Sequence, residues 1–417
     1  MRGLARDPVL SSVAVATNSL EAEPACPGTD EHLPAPRPVE RALRAERRAF
    51  DSIDRDAWDG LAARNPWATP FSQWPFQRAW WDAYGSNAHE ETVVVFDPEG
   101  PDDELVGIVP LMHRHEVETR DALTRTTLRP GAGLELTPVE PTAKAVFFGA
   151  SYHSDYATVL ADPADLPAVA AAVVDLLAAD QPADAAHPMA WDVVDLRRLR
   201  CGDPAADALA DAFGAREIGE GWTLNLERED VCPVVTLPVN ATFDEYLATL
   251  GKKERHEVRR KLRRAEAAGE VRFDPSPDPL ADLDGFIELH QKRWQERGLF
   301  PATEGGAQSR VFVRRLFELF GADGPVQLSF LTVGGRRIAA GIGLHDRDGY
   351  LYYNAGVDPD ARDLSPGVVM IAKYIEQAMR HGCRRLDFLR GDEPYKYEWG
   401  AVDEPIQRLL VRRRTAA

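Results

Sequence analysis

The chain has 417 residues, with 49 Lys+Arg against 67 Asp+Glu and a formal charge of −18. That length asks for two domains or one large one, since single cores stop growing near ~250–300 residues. Hydrophobic content of 44% and aromatic content of 8% exclude a wholly disordered chain, and the acidic balance argues against nonspecific coating of DNA or anionic lipid.

Residues 1–39, rich in Pro, Ala, Ser and acids, are expected to form a disordered leader. A helical pattern follows around Ala42–Leu61, and Trp67, Trp74, Trp80 and Trp81 are expected to pack a first unit. Thr92–Phe96 (TVVVF) reads as a strand and Leu105–Met112 (LVGIVPLM) as its hairpin partner. After an insertion near His113–Gly149, the order is Tyr156–Leu160, Asp162-Pro163, a helix over Pro167–Ala178 and the strand Trp191–Leu196. The second half repeats it. Val326–Val333 and Ile338–Leu344 form a hairpin around a GlyGly turn. Then come Tyr350–Val357, Asp358-Pro359, a helix over Val368–Arg380 and the strand Arg385–Leu389. This self-similarity predicts an α/β (α+β) fold of two tandem units, each a mixed, mostly antiparallel sheet flanked by helices. The join is expected at a charged turn near Glu227–Pro238, giving units 40–230 and 231–412. No apolar run reaches the ~18–20 residues of a membrane-spanning helix. Cys26, Cys201, Cys232 and Cys383 stand singly, without metal-ligand spacing; reduced thiols, a cytoplasmic setting and no metal are expected.

Four stretches of the second half are distinctive: CPVVTLP at Cys232–Pro238, GKKERHEVRRKLRRAE at Gly251–Glu266, ELHQKRWQERG at Glu288–Gly298 and LDFLRGDEPYKYEWG at Leu386–Gly400. With them, this half resembles the GNAT superfamily, specifically the BioF2-like acyltransferase domain of CelD-type polysaccharide-biosynthesis proteins. TPFSQWPFQRAWWDAYG at Thr69–Gly85 and VGIVPL at Val106–Leu111 resemble the amino-terminal region of that family. The family is similar to the Fem transferases, which join two GNAT-like units and move aminoacyl groups from charged tRNA onto cell-wall precursors. Gly391, Tyr395-Lys396 and Trp399-Gly400 fit the Fem closing pattern, with Tyr and Trp replacing two Phe. The resemblance implies transfer of an acyl group from acyl-CoA to an amine or hydroxyl of a sugar, polysaccharide or envelope precursor. Under the Fem alternative the donor would be charged tRNA, and a noncatalytic binding protein is the other rival.

Acyl transfer from a thioester needs an anchor for the pyrophosphate, a polarised carbonyl, a proton acceptor and a donor to the leaving thiolate. Ser365, Gly367 and Val368 open a helix after a strand, the usual place for a phosphate; Ser365 would cap it. The rival reading is an ordinary capped crossover helix. The superfamily resemblance implies that the strands Tyr350–Val357 and Arg385–Leu389 splay to admit the thioester. Asp387, between apolar neighbours on a buried strand, is either the proton acceptor or half of a pair with Arg385 or Arg390. Beyond it, Arg390 could hold phosphate, Lys396 could hold phosphate or stabilise developing negative charge as a catalytic residue, Asp392 could take a proton, and Tyr395 or Tyr397 could protonate the thiolate. A loop merely stapled to the core is the alternative. His290 and Trp294 share a helix face and, with Tyr353, are candidate acceptor-binding residues in a cleft between the units; core packing is the rival reading for the first two. The first unit would shape that cleft without catalysing.

The helix Lys252–Arg264 carries eight cations against two acids, suited to a phosphorylated ligand or to solvent alone. His153-Ser154-Asp155 are adjacent and cannot form a triad. No Cys–His pair is visible, so direct transfer is expected over a covalent intermediate.

Overall fold

In the computed structural model, which describes residues 41–101, 103–114, 136–140, 142–180, 189–347 and 349–413, the strand-forming runs collect into two sheets. The leader and most of the expected insertion lie outside the described residues. The first half supplies β1 (Arg44–Arg47), α1 (Arg55–Arg64), α2 (Trp74–Tyr84), β2 (His89–Glu90), β3 (Val93–Asp97) and β4 (Glu104–Val109). It continues with β5 (Leu111–Arg114), β6 (Ala145–Phe148), β7 (Leu160–Ala161), α3 (Leu166–Ala178), β8 (Val193–Arg200) and α4 (Pro204–Glu220). The second half begins with β9 (Trp222–Thr236), α5 (Phe243–Thr249), α6 (Lys252–Ala268), β10 (Val271–Pro275), α7 (Pro279–Trp294) and α8 (Glu304–Phe320). It ends with β11 (Val326–Val333), β12 (Arg336–His345), β13 (Gly349–Val357), α9 (Pro366–Arg380), β14 (Arg385–Asp387), α10 (Pro394–Tyr397) and β15 (Val402–Arg413). No helix among the described residues is long and apolar enough to cross a membrane.

Strands β1, β3, β4 and β7 form a small sheet; the others make an eleven-stranded sheet in the order β10-β11-β12-β13-β14-β9-β15-β8-β6-β5-β2. The repeat appears as two parallel pairs, β6 with β8 and β13 with β14, amid antiparallel neighbours. Parallel neighbours require a crossover. Helices α3 and α9 supply it, burying Val169, Val173 and Leu177 in one unit and Met370, Tyr374 and Ile375 in the other. Gly334 and Gly335, at φ 57° and 81°, close the β11–β12 hairpin with the two left-handed residues that such a turn demands.

Five expectations need correction. The pattern over Ala42–Leu61 is helical only from Arg55, where the Asp54 carboxylate caps the Ala57 N–H. Upstream, β1 pairs with β3, and that tertiary pairing overrides local periodicity. The run Leu105–Met112 splits at Pro110, which has no N–H for a ladder. β4 stays with β3, while β5 enters the large sheet beside β6. Tyr156–Leu160 gives only the short β7 and a single bridge from Ala157 to Leu199. The charged turn expected near Glu227–Pro238 is absent, because Trp222–Thr236 form the 15-residue strand β9. Its charges read as a turn but are paired: Glu227 with Arg408 at 3.2 Å and Glu229 with Arg198. Cys232 and Cys383 are free thiols, whereas Cys201 is disulfide-bonded, against the expectation of reduced cysteines throughout.

One strand crosses between the halves. β9 opens the second half and pairs with β14 of the same half. β15 ends the second unit yet pairs with β8 of the first. The two strands pair with each other from Val402↔Val234 to Arg413↔Trp222. Across this centre Arg408 grips Asp195 through two bonds of 2.6 and 2.8 Å, with both side chains buried. Burial alone would push Asp195 up, but the Arg197 and Arg408 guanidiniums outweigh it and hold the carboxyl below its usual range. Breaking a buried pair leaves a charge short of partners, at a cost of about 3–5 kcal/mol. Arg408→Ala should lower the unfolding free energy by roughly that much in urea titration. A loss comparable to that of an exposed pair, under about 1 kcal/mol, would show that the centre does not rest on this contact.

Candidate active site

Strands β13 and β14 pair only from Gly349↔Arg385 to Leu351↔Asp387. Beyond that point β13 runs on to Val357 beside β12, while β14 has ended. Among the described residues, the other edge of Tyr352–Val357 has no strand partner, so the sheet opens there.

The opening is set by how the chain leaves β14. Leu389 is left-handed at φ 56°, which costs a non-glycine residue about 1–2 kcal/mol. Its N–H donates to Asp387 Oδ1 at 2.8 Å. Lys396, only 2% exposed, donates from Nζ to the carbonyls of Leu389, Arg390 and Gly391 at 3.0, 2.9 and 2.9 Å. The Glu393 carboxylate lies 2.9 Å away. Gly391, at φ 109°, donates its N–H to the Val231 carbonyl at 2.9 Å. The Lys396 donors are thus already spent on the backbone, and its place in the structure is that of the staple rather than of a phosphate ligand. Asp387 is likewise occupied: Oδ2 accepts the Tyr156 hydroxyl at 2.7 Å and Arg385 Nη2 at 3.3 Å. Burial pushes the Asp387 carboxyl up, against the pull of Arg385, Tyr156 and the Leu389 N–H.

Side chains alternate along β13, and the two faces differ. Tyr352 packs against Tyr374 of α9 at 5.3 Å and Phe388 at 5.9 Å, and Phe388 meets Tyr395 edge-on at 6.0 Å. Burial pushes the Tyr352 and Tyr395 hydroxyls up, while the Arg293 guanidinium at the end of α7 pulls the other way. Ser365, Gly367 and Val368 start α9 on this same face. Ser365 does not cap with its side chain. It adopts a left-handed conformation, and its carbonyl accepts the Val368 and Val369 N–H groups at 3.0 and 3.1 Å. Pro366 has no N–H, so Gly367 carries the first donor of the helix. A Cβ at Gly367 would meet nothing within 4 Å.

Tyr353 points to the opposite face, where its hydroxyl donates to the His153 carbonyl at 3.0 Å and its ring lies 5.6 Å from Phe71. His290 is buried on that face beside Phe300 at 5.0 Å, its backbone pressed against Gly356; burial pushes its pKa down to about 4. Trp294, 43% exposed, sends its indole N–H to the Ala355 carbonyl at 3.4 Å. Trp294 and Tyr395, the latter 40% exposed, both lie close to Arg293 and mark the mouth of the opening. Arg390 does not join the residues at the start of α9. It forms an ion pair with Asp155 of the first unit at 3.3 Å. Asp392 is buried in the loop. His153 and Asp155 go to different partners, with His153 Nε2 2.8 Å from the Tyr84 hydroxyl.

Sequence reasoning missed Arg293, Tyr352 and Tyr156. Alternation along YLYYNAGV separates Tyr352 from Tyr353, but without the sheet register it does not say which faces the helix. The basic helix α6 pairs Arg259 with Asp244 and Arg260 with Glu257. Lys252, Lys253, Lys261 and Arg263 make no ion pair among the described residues. A groove of about 440 Å³ between α5, α6 and the outer face of α9 carries both signs, including Arg259, Arg263, Asp244 and Glu376. It lies away from the sheet opening.

Residues 252–397 match the model of the acetyltransferase (GNAT) domain. The chain carries a GNAT-type acyltransferase domain. No curated protein sequence matches the chain. Among solved structures, FemX is similar in fold at 11% identity, covering 87% of this chain and 96% of that one with a TM-score of 0.53. A conserved protein of unknown function from Bacteroides thetaiotaomicron is similar at 13% identity, covering 87% and 98% with a TM-score of 0.50. The GNAT domain thus occupies the second of two tandem units, and acyl transfer is its general chemistry.

Replacing Lys396 by Met strips three buried carbonyls of their donor, so it should destabilise the protein by about 3 kcal/mol. A variant within about 0.5 kcal/mol of the parent in urea titration would refute the staple. His153 and His290 are pushed by burial to about 3 and about 4, below the ~6.5 of an unfolded chain. Their contribution to stability is therefore complete above pH 6.5 and lost as pH falls from there toward 4. Unfolding free energies between pH 7 and 5 should decline, and less steeply in His290→Gln; equal slopes would exclude His290 as a contributor.

Proposed function

We propose that the chain moves an acyl group from acyl-CoA to an amine or hydroxyl of a sugar, polysaccharide or envelope precursor by direct transfer. The observation that carries this reading is the unpaired β13 edge, open between two differently furnished faces. A pantetheine chain laid along that edge would meet, as an added strand does, the backbone groups of Tyr352–Val357 that neither β12 nor the Trp294 indole engages. Its pyrophosphate would sit at the Gly367 and Val368 end of α9, where the helix dipole favours negative charge. The acceptor would approach from the first-unit face, past Trp294, Tyr353 and His290. Its nitrogen or oxygen attacks the thioester carbon, the C–S bond breaks, Asp392 takes the acceptor's proton, and Tyr395 donates a proton to the thiolate. Tyr395 suits that role because a phenol carries its proton at neutral pH and this one stands at the mouth of the opening. Asp387, Lys396 and Arg390 position the loop that carries these groups. The Cys201 disulfide removes thiol redox state as a reason for a cytoplasmic setting; in this reading the acyl-CoA donor supplies that reason.

One observation favours a second reading. The unpaired cations of α6, together with the fold likeness to FemX, suit an aminoacyl-tRNA donor. That donor would bind with a steep salt dependence, and Lys252→Glu/Lys253→Glu would weaken it.

Isothermal titration with acetyl-CoA and with free CoA tests the first reading. Saturable binding is expected, weakened at least tenfold by Gly367→Trp, whose side chain enters open space and leaves the protein folded. Folded protein that binds neither ligand would end the acyl-CoA reading and leave charged tRNA or a noncatalytic role.

A further inference from the structure

The groups that shape the β13–β14 opening do not all belong to the unit that contains it. Segment Ala150–Val159 of the first unit crosses to the centre of the large sheet. There the Tyr156 hydroxyl donates to Asp387 Oδ2 at 2.7 Å, while the other oxygen of that carboxylate holds the N–H of left-handed Leu389. Tyr156 is itself fixed. It is buried, the Arg200 guanidinium lies 4.9 Å over its ring, and Phe71 packs at 6.3 Å. The buried Cys232 thiol of β9 is a close neighbour of its hydroxyl. A buried carboxylate offered only Leu389 and a part-exposed Arg385 would be under-satisfied; the Tyr156 O–H completes its partners and fixes the plane in which Oδ1 meets Leu389.

We infer that Tyr156 is a positioning residue through which the first unit holds open the donor site of the second. The chain of contacts is direct. Tyr156 orients Asp387, Asp387 holds Leu389 in its left-handed turn, and that turn carries the chain away from β13, leaving Tyr352–Val357 without a strand partner. Without the hydroxyl, the carboxylate rotates to find another donor, the Leu389 turn relaxes, and the loop bearing Tyr395 becomes mobile. This role rests on the acyl-CoA reading for its consequence in binding, but its structural part does not.

The test is hydrogen–deuterium exchange and CoA titration on the full chain carrying Tyr156→Phe, with Tyr84→Phe as the matched control. Tyr84 is also a buried hydroxyl spanning the units, bonded to His153 at 2.8 Å and to Ser309 at 2.9 Å, and both of these partners lie outside the 387–396 loop. Tyr156→Phe should speed amide exchange in peptides covering 388–397 about tenfold, and Tyr84→Phe should not. Asp387→Asn, which weakens the same bond from the other end, should reproduce the effect. Tyr156→Phe should also weaken CoA about tenfold, with Tyr84→Phe leaving it unchanged. Unchanged exchange at 388–397 in Tyr156→Phe would overturn the inference, and so would equal acceleration across both units, the mark of general destabilisation. If the parent protein binds no CoA, the acyl-CoA reading fails while the exchange data still decide whether Tyr156 sets the opening.

Discussion

The ladder between β9 and β15 is the constraint on which the architecture depends. β9 opens the second half and β15 closes it, and β15 pairs on its other side with β8 of the first; by that exchange the two units share one continuous sheet. Hinge opening would break main-chain hydrogen bonds along twelve residues of β15 rather than slide one surface over another. The same exchange explains why charge is buried at the centre. Strands that cross between units bring Glu227, Glu229, Arg198, Arg408 and Asp195 into the interior, and each is tolerable there only because it meets its opposite. A rigid junction of this kind lets a residue of one unit tune geometry in the other, which a flexible linker would not.

The two halves are built alike, yet only one opens. In the second unit β14 ends and the gap beside β13 stays empty of strand. In the first, Ala157 bridges to Leu199 and its N–H bonds to the Arg198 carbonyl at 2.9 Å, so segment 150–159 occupies the equivalent place beside β8. Each sheet strand has a left-handed non-glycine residue near its end, Arg198 at φ 70° within β8 and Leu389 at φ 56° just past β14, followed by a left-handed glycine and a buried aspartate, Gly202-Asp203 and Gly391-Asp392. After β8 that aspartate caps a long helix through the Ala205 N–H at 2.9 Å. After β14 the chain instead folds over Lys396. A repeated framework with one gap filled and one left open fits a single donor site served by both units.

Much of this was legible in the residues alone. The β11–β12 hairpin, the two crossover helices and the tandem order follow from alternation, apolar runs and the GlyGly turn. What was not legible has a common cause: it depends on partners far away in sequence. Glu227–Asp230 looked like a turn because charge usually marks the surface, and its partners stand elsewhere in the chain. Lys396 looked like a ligand for phosphate because nothing in YKY reveals three converging carbonyls. Arg390 was grouped with the helix start because Asp155, its partner, lies 235 positions away, and Tyr156 was noted only as the start of an extended segment. Pro110 was the exception, a local signal that a single strand could not run from Leu105 to Met112.

The furnishing of the two faces bears on mechanism. Residues at the start of α9 lie on one side of β13, and Tyr353 and His290 lie on the other beneath the first unit. Donor and acceptor that enter from opposite faces meet only at the opening, so neither need leave before the other binds. That arrangement suits direct transfer, because a covalent intermediate would need a nucleophile at the same point. Cys232, the free thiol nearest the opening in the structure, is fully buried, and its environment pushes its pKa up, first through burial and then through the charge of Asp387. A thiol held protonated in that way is a poor nucleophile, and here it serves as a neighbour of Tyr156 instead. The physics that disables Cys232 also raises Asp387: both are buried where the units meet, in a place built to hold geometry rather than to exchange protons with solvent.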